Sequence, residues 1–200
     1  MTTKERILVA TLELASEKGL GQVSLSQIAK KVGIQKPSIY NHFASKEEII
    51  IELYEYLRHR AREKINNGTI DYGELVKGKE AYDILNMMVF SYIAMNQDTD
   101  MEQFYRFIMS ERSVRKEAAQ IMVAETEKMI LATKQLFYAM QVQKVMTFKN
   151  IDMAAFSFAM SVHAIMDYMW DQRMAETEMT AEPLLNEYLK DFCRVYGNVE

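Results

Sequence analysis

The sequence predicts an all-α protein of about nine helices, and three observations support this fold class. Only two prolines, Pro37 and Pro183, interrupt its 200 residues. Apolar residues recur three and four positions apart, as at Ile7, Ala10 and Leu14, which is the period of an amphipathic helix. The strict apolar–polar alternation of a strand is not seen along the chain. A content of 49% hydrophobic and 26% charged residues is typical of folded globular domains.

Four helices are predicted in the first third of the chain. The first ends at Gly19, and the second, LSQIAKKV, follows a capping-box pattern formed by Ser24 and Gln27. Gly33 stops the second helix, and Pro37 lies in the first turn of a third helix predicted over 36–43. A long fourth helix follows from residue 48 to 66. The glycine-containing stretch 66–79 is then expected to be a loop.

The second and third helices form a predicted helix-turn-helix. Gly33 suits the left-handed backbone of the turn, and apolar residues hold the two helices together. This arrangement leaves polar side chains exposed on the third helix, where they offer donors and acceptors to base edges and phosphates. Lys46, at the start of the next helix, is placed to reach a phosphate. The exposed positions are Lys36, Ser38, Tyr40, Asn41 and His42.

Charge is distributed unevenly along the chain. Through Lys64 there are 11 basic and 8 acidic residues, whereas the remainder has 13 basic and 20 acidic residues. A basic N-terminal segment, residues 1–64, followed by an acidic remainder (the acidic body) fits a polyanionic partner such as nucleic acid. Solvated charged faces are the alternative explanation of this asymmetry.

Many positions between Ser24 and Glu47 are specified at fixed spacings, including Ile28-Ala29, Val32-Gly33-Ile34, Pro37-Ser38-Ile39-Tyr40 and His42-Phe43. This run resembles the DNA-binding signature of the tetracycline-repressor (TetR) family. The resemblance implies that Lys36, Pro37, Ser38 and Asn41 face bases, while Tyr40, His42 and Lys46 hold the phosphate backbone. Ser26 and Gln35 complete the expected DNA-binding set. Gln35 departs from the family pattern, in which serine or glutamate is common, and a weaker cap of the third helix is expected.

The rest of the chain is expected to form a larger helical domain for ligand binding and dimerisation. The predicted domains are 1–47 and 48–200, joined through helix 48–66. The predicted helix 151–175 is apolar around most of its circumference and must be covered on several sides. The resemblance implies pairing of the last two helices with their copies; a core helix with a surface helix is the alternative. The expected interface residues are Phe158, Ile165, Met169, Leu185, Tyr188, Leu189 and Phe192.

Methionine and aromatic residues suggest a ligand pocket in this domain. Apart from Met1, all methionines follow residue 86, and their flexible side chains suit adaptable cavities. The resemblance implies such a pocket, although these residues also suit an ordinary core. The acidic body favours a lipophilic or cationic effector. The expected lining residues are Tyr92, Phe104, Phe107, Met122, Tyr138, Phe156, Met160 and His163.

The sequence gives no support for catalysis. His163 and Asp167 lie one helical turn apart, but no nucleophile is paired with them by a recognisable spacing. We expect no enzyme activity, no catalytic residue, no metal site and no cofactor. A single cysteine and the lack of a signal peptide or membrane-spanning stretch predict a cytoplasmic protein.

These observations together predict a homodimeric transcriptional regulator, specifically a repressor. It would bind a palindromic operator in double-stranded DNA and be released by a small lipophilic or cationic effector. The alternative is a DNA-binding regulator or adaptor controlled by a protein partner, with no small-molecule ligand. No membrane association is expected.

Overall fold

The computed structural model describes residues 1–65, 70–96 and 99–197, and within these ranges it holds ten α-helices and no β-strand. The predicted all-α class is therefore confirmed. Among these residues, no helix combines the length and apolarity needed to cross a bilayer. The helices are α1 (Thr3–Lys18), α2 (Leu25–Val32), α3 (Lys36–Ile39), α4 (Lys46–Ile65), α5 (Tyr72–Val76), α6 (Ala81–Asn96), α7 (Thr99–Glu111), α8 (Lys116–Val142), α9 (Ile151–Met174) and α10 (Ala181–Tyr196).

Capping boxes begin the first two helices. The Glu5 carboxylate accepts the Thr2 N–H at 2.7 Å, and Thr2 Oγ1 accepts the Glu5 N–H at 3.2 Å. The box predicted from Ser24 and Gln27 is confirmed, because Ser24 N–H donates to Gln27 Oε1 at 2.9 Å and Gln27 N–H donates to Ser24 Oγ at 3.3 Å. Each box satisfies backbone donors that a helix start leaves without partners.

The chain divides into two compact units. The first contains the described parts of Met1–Thr69 and Asn96–Ala124, so it joins the helix-turn-helix to α7 and the start of α8. Ile7, Ile28, Phe43 and Phe107 are fully buried in one core of this unit. Burial of these side chains from both segments stabilises the unit, since apolar burial is the dominant favourable term in folding.

The second unit contains Ile70–Met95 and Glu125–Glu200, as far as these are described. Its centre is a group of aromatic rings around Phe137, which stacks on Phe148 at a centroid distance of 4.6 Å. Phe158 and Phe192 meet edge to face at 4.7 Å, and both contact Phe137. The end of α10 is tied to the α8–α9 connection, because the Thr147 N–H donates to the Tyr196 carbonyl at 2.9 Å.

Two expectations about chain organisation differ from the structure. The stretch 66–79, expected to be a loop, contains α5, whose start is capped by the Asp71 carboxylate on the Glu74 N–H at 3.1 Å; residues 66–69 lie outside the described residues. The structure does not divide at residue 47, since α4 and α7 share the core of the first unit. The predicted connecting helix 48–66 corresponds to α4, which begins two residues earlier; residue 66 also lies outside the described residues.

Candidate DNA-binding surface and helical body

The turn of the helix-turn-helix is built on Gly33. Its φ of 76° and ψ of 33° are left-handed, a conformation that a Cβ would strain. The Ile34 N–H donates to the Ala29 carbonyl at 3.0 Å, and the Gly33 N–H donates to the Lys30 carbonyl at 3.2 Å. These two bonds form a Schellman motif, which closes the end of α2 and redirects the chain into α3.

The third helix is shorter than expected. It was predicted over 36–43, but α3 ends at Ile39. Tyr40, Asn41 and His42 follow in tight turns whose N–H groups donate to carbonyls three residues back, at 2.9–3.3 Å. Ile39 and the side chain of Phe43 are buried and hold both ends of this segment on the core. The Gln35 side chain makes no capping hydrogen bond, so the expected weak cap is confirmed.

Most of the predicted DNA-binding side chains lie on an exposed surface. Tyr40 is 52% exposed although it is a large aromatic residue, and Ser38 is half-buried. Because Ile39 and Phe43 face the core, the polar residues between and before them face solvent. This recognition surface comprises Ser26, Gln35, Lys36, Pro37, Ser38, Tyr40, Asn41 and His42.

Lys46 does not extend freely into solvent. It is half-buried, and its ammonium donates to the Leu20 carbonyl at 2.9 Å. This bond ties the start of α4 to the short 3-10 helix Leu20–Gln22 that follows α1. The side chain expected to reach a phosphate therefore already has a structural partner.

Other basic groups of the first unit are also paired internally. The Arg6 guanidinium donates to the Val32 carbonyl at the end of α2, and Lys4 contacts Glu52 at 2.9 Å. A hydrogen bond with Glu13, at 2.8 Å, raises the pKa of Lys31. Within the described residues, Lys36 makes no ion pair, so its charge is available to a phosphate or a base.

The residues expected to line one ligand pocket occupy different environments. Phe104, Phe107 and Met122 are buried in the core of the first unit. Tyr138, Phe156 and Met160 are exposed side chains of the second unit. Tyr92 and His163 are half-buried.

Among these residues, His163 has a buried ring nitrogen without a hydrogen-bond partner in the described part of the chain. This nitrogen is Nδ1. A buried polar atom without a partner costs free energy, and such atoms are uncommon in native structures.

A groove of about 920 Å³ lies between α1 and α4 in the first unit. Leu8, Val9 and Tyr56 give it apolar walls, and Lys4, Glu5 and Glu52 surround them with charge. None of the residues predicted to bind a ligand lines this groove.

The expected dimer-interface residues are largely buried within one protomer. Leu185 and Leu189 are 0% exposed, and Phe158, Met169 and Phe192 are also buried; Ile165 and Tyr188 are half-buried. The apolar stripe of α10 packs on α9 of the same chain, so the five buried side chains are not available to a second copy. The sequence pattern predicted that this stripe is covered, but it did not identify what covers it.

A different face of α9 is exposed and apolar. Its members recur three and four positions apart and therefore share one side of the helix. Leu184 and Val195 are exposed on α10, and Tyr188 between them is half-buried. The exposed α9 stripe consists of Met153, Phe156, Ser157, Met160, Ala164 and Tyr168.

Groups suited to metal binding or nucleophilic chemistry are sparse in the described residues. There, no group of three or more His, Cys, Asp or Glu side chains is arranged to hold a metal ion. Burial raises the pKa of the Cys193 thiol to about 11, which disfavours the reactive thiolate.

One ion pair near the recognition surface was not anticipated from the sequence. Arg115, which lies between α7 and α8, binds the Glu47 carboxylate with Nη1–Oε1 and Nη2–Oε2 distances of 2.7 and 3.3 Å. The hydrogen bond with Arg115 is the main cause that lowers the pKa of Glu47. The two residues are 68 positions apart, so no local spacing could have indicated their contact.

This geometry defines an all-helical protein of the helix-turn-helix DNA-binding class. Residues 7–53 match the model of the bacterial regulatory proteins of the tetR family. The segment that contains the helix-turn-helix is therefore similar to the tetR family, as the sequence resemblance predicted.

Similar proteins agree with this assignment. The chain is 30% identical over 86 residues to the uncharacterised HTH-type transcriptional regulator YerO of Bacillus subtilis (strain 168), covering 43% of this chain and 28% of YerO. The chain therefore spans less than a third of that relative.

Two solved structures share the fold over nearly the full length. A TetR-family transcriptional regulator from Mesorhizobium loti MAFF303099 has 19% identity and a TM-score of 0.67, with 98% of this chain and 97% of that chain covered. A transcriptional regulator from Saccharomonospora viridis in complex with choline has 17% identity and a TM-score of 0.68, with 98% of both chains covered.

Proposed function

We propose that this protein is a transcriptional repressor that binds operator DNA as a homodimer. The observation that carries the proposal is the recognition surface, where Lys36, Tyr40, Asn41 and His42 are exposed beside a turn fixed by Gly33. Lys36 and Asn41 can read base edges, while Tyr40 and His42 can hold phosphates. Pro37, Ser38, Gln35 and Ser26 complete the contact region.

A dimer would present two recognition surfaces related by a two-fold axis. Each helix-turn-helix would enter one major groove, so the operator would be a near-palindrome with half-site centres about 34–36 Å apart, or somewhat more. Neutralised phosphates release counterions, so affinity would fall steeply with salt.

We further propose that the two copies meet through the exposed α9 stripe rather than through the buried stripe of α10. Phe156 and Met153 are 45% and 56% exposed, and Ser157 and Ala164 are small enough to let a second helix approach closely. Leu184 of α10 is also an exposed apolar side chain of this unit. Apolar surface that recurs along one helix face favours association, and a two-fold interface uses the same patch twice.

Sedimentation velocity at micromolar concentration tests this interface. Met160→Glu, in the middle of the stripe, is expected to convert a dimer to a monomer without unfolding it. Glu187→Gln on the polar face of α10 is the matched control and is expected to leave the dimer intact. A wild-type monomer, or a Met160→Glu dimer of unchanged affinity, would refute the assignment.

The proposed effector is a small lipophilic or cationic molecule bound in the second unit. The buried, unpartnered Nδ1 of His163 supports a polar contact with such a ligand. The fold neighbour from S. viridis is described in complex with choline, a cation, which supports the same class. Control by a protein partner remains the second candidate, favoured by the exposed apolar side chains Leu131 and Tyr138 of α8.

Selection from genomic fragments, followed by fluorescence anisotropy, tests DNA binding and release. Wild type is expected to enrich a near-palindrome and to bind it with a steep salt dependence, and Tyr40→Ala is expected to weaken binding strongly. Equal, weak binding of both proteins to every fragment would refute the proposal. A small cation or lipophile that releases DNA from wild type but not from His163→Phe would support the effector site.

A further inference from the structure

Arg115 holds the start of α4 through a bidentate ion pair with Glu47. Its guanidinium meets both oxygens of Glu47, and its Nε lies 3.4 Å from Glu111 Oε2. Paired hydrogen bonds between a guanidinium and a carboxylate fix orientation as well as distance. Arg115 therefore defines the position of Glu47 more closely than a single contact from a lysine would.

Glu47 lies at the point where the helix-turn-helix joins α4. It is in the first turn of α4, and the Glu48 carboxylate beside it accepts the N–H of Ala44. The Ser45 hydroxyl accepts the Glu48 N–H at 3.1 Å. Phe43, the buried end of the recognition segment, directly precedes this closed turn. Fixing Glu47 thus fixes segment 44–48 and the end of the recognition surface with it.

The corner between α7 and α8, which carries Arg115, is held by hydrogen bonds and buried side chains. The N–H groups of Val114 and Arg115 both donate to the Glu111 carbonyl, at 3.0 and 2.9 Å. The Glu111 side chain is largely buried, and Phe107, one turn earlier, packs its ring 5.5 Å from that of Tyr54 in α4. The α7–α8 corner can therefore hold the guanidinium of Arg115 in a fixed position.

We propose that Arg115 is a positioning residue for DNA binding, which acts by holding Glu47 and thereby the recognition surface. Lys116, the next residue, begins α8, and α8 continues to Val142 within the second unit. Arg115 directly precedes α8, so the Glu47–Arg115 pair links the start of α4 to the start of this helix. The inference rests on the proposed DNA-binding function.

The test is a double-mutant cycle of Arg115→Gln and Glu47→Gln, measured as operator affinity by anisotropy. Each single variant is expected to weaken binding about threefold to tenfold, consistent with a partly exposed ion pair present in both copies. The double variant is expected to be no weaker than either single variant, because the second change removes a partner already lost. The charge swap Glu47→Arg with Arg115→Glu is expected to recover part of the affinity.

Arg112→Gln is the matched control, since it removes the same charge from an exposed site three residues away. Equal losses in Arg112→Gln and Arg115→Gln would overturn the proposal, because general electrostatic attraction would then explain both. Additive losses in the double variant, or unchanged affinity in folded single variants, would also overturn it. If Arg115→Gln fails to fold, Glu47→Gln tests the same pair from its exposed partner.

Hydrogen exchange separates this inference from the proposed function. Arg115→Gln is expected to speed exchange in residues 44–52 and to leave α1 unchanged, with or without DNA. Unchanged exchange in residues 44–52 would overturn the positioning role even if DNA binding is demonstrated. Faster exchange in a protein that selects no DNA would instead refute only the proposed function.

Discussion

Replacing Lys46 with methionine distinguishes a structural role of its ammonium group, as a donor to the Leu20 carbonyl, from a role in binding DNA phosphate. Methionine keeps much of the chain length but cannot donate to the Leu20 carbonyl, now 2.9 Å away. A hydrogen bond from a charged donor at a half-exposed site contributes about 1–2 kcal/mol, since solvent screens part of it. For a chain of this size, that loss lowers Tm by about 2–8 °C.

The salt dependence of DNA binding gives the second half of this prediction. Each phosphate contact contributes about −0.9 to the slope of log affinity against log salt, so losing one contact in each of two copies changes the slope by ~1.8. Because the ammonium already binds Leu20, we expect Lys46→Met to lower Tm and to leave the slope nearly unchanged. Lys149→Met, which removes an exposed charge from the second unit, controls for net charge. A slope reduced by ~1.8 at unchanged Tm would show that Lys46 binds phosphate and that our reasoning is wrong.

Three further predictions concern stability. Gly33→Ala should cost about 1–2 kcal/mol in urea unfolding, because its Cβ meets no neighbour and only the left-handed backbone is strained; an unchanged midpoint would contradict this. Leu189→Ala should cost about 2–5 kcal/mol in the same assay, since the side chain is fully buried within one protomer, and the cost should persist in a monomeric variant. The folded pKa of Glu47 lies below its ordinary value of 4.5, so its pair with Arg115 adds stability above that pH and loses it as the pH falls through the folded pKa. The Tm difference between wild type and Glu47→Gln should therefore shrink in acid, and a difference that grows there would exclude this linkage.

Local features of the fold were predictable from the sequence because their causes are local. Ser24 and Gln27 are three residues apart and satisfy each other's backbone groups, and Gly33 alone can take the left-handed turn without strain. The exposed side chains of the recognition surface followed from the same local pattern. The early end of α3 was not predicted, because burial of Ile39 and Phe43 in the core decides the path between them.

Contacts between residues that are far apart in the chain could not be predicted from the sequence. An apolar stripe such as that of α10 predicts a covered face, but α9 of the same chain covers Leu185 and Leu189. Lys46 and Leu20 are 26 residues apart, and Arg115 and Glu47 are farther still. Helical periodicity describes one element at a time, so neither contact could be inferred from it.

The shared core of the first unit bears on how regulators of this kind can be recombined. Phe104, Phe107 and Ile108 of α7 and Ile121 of α8 are buried in one core with α1 and the helix-turn-helix, although they lie far beyond these helices in the sequence. A chimera that exchanges only the N-terminal segment would place these side chains against foreign neighbours, with mismatched volumes in a close-packed interior. A new DNA specificity would be grafted more safely by replacing the few exposed residues of α3, or by transferring residues 99–124 together with the N-terminal helices.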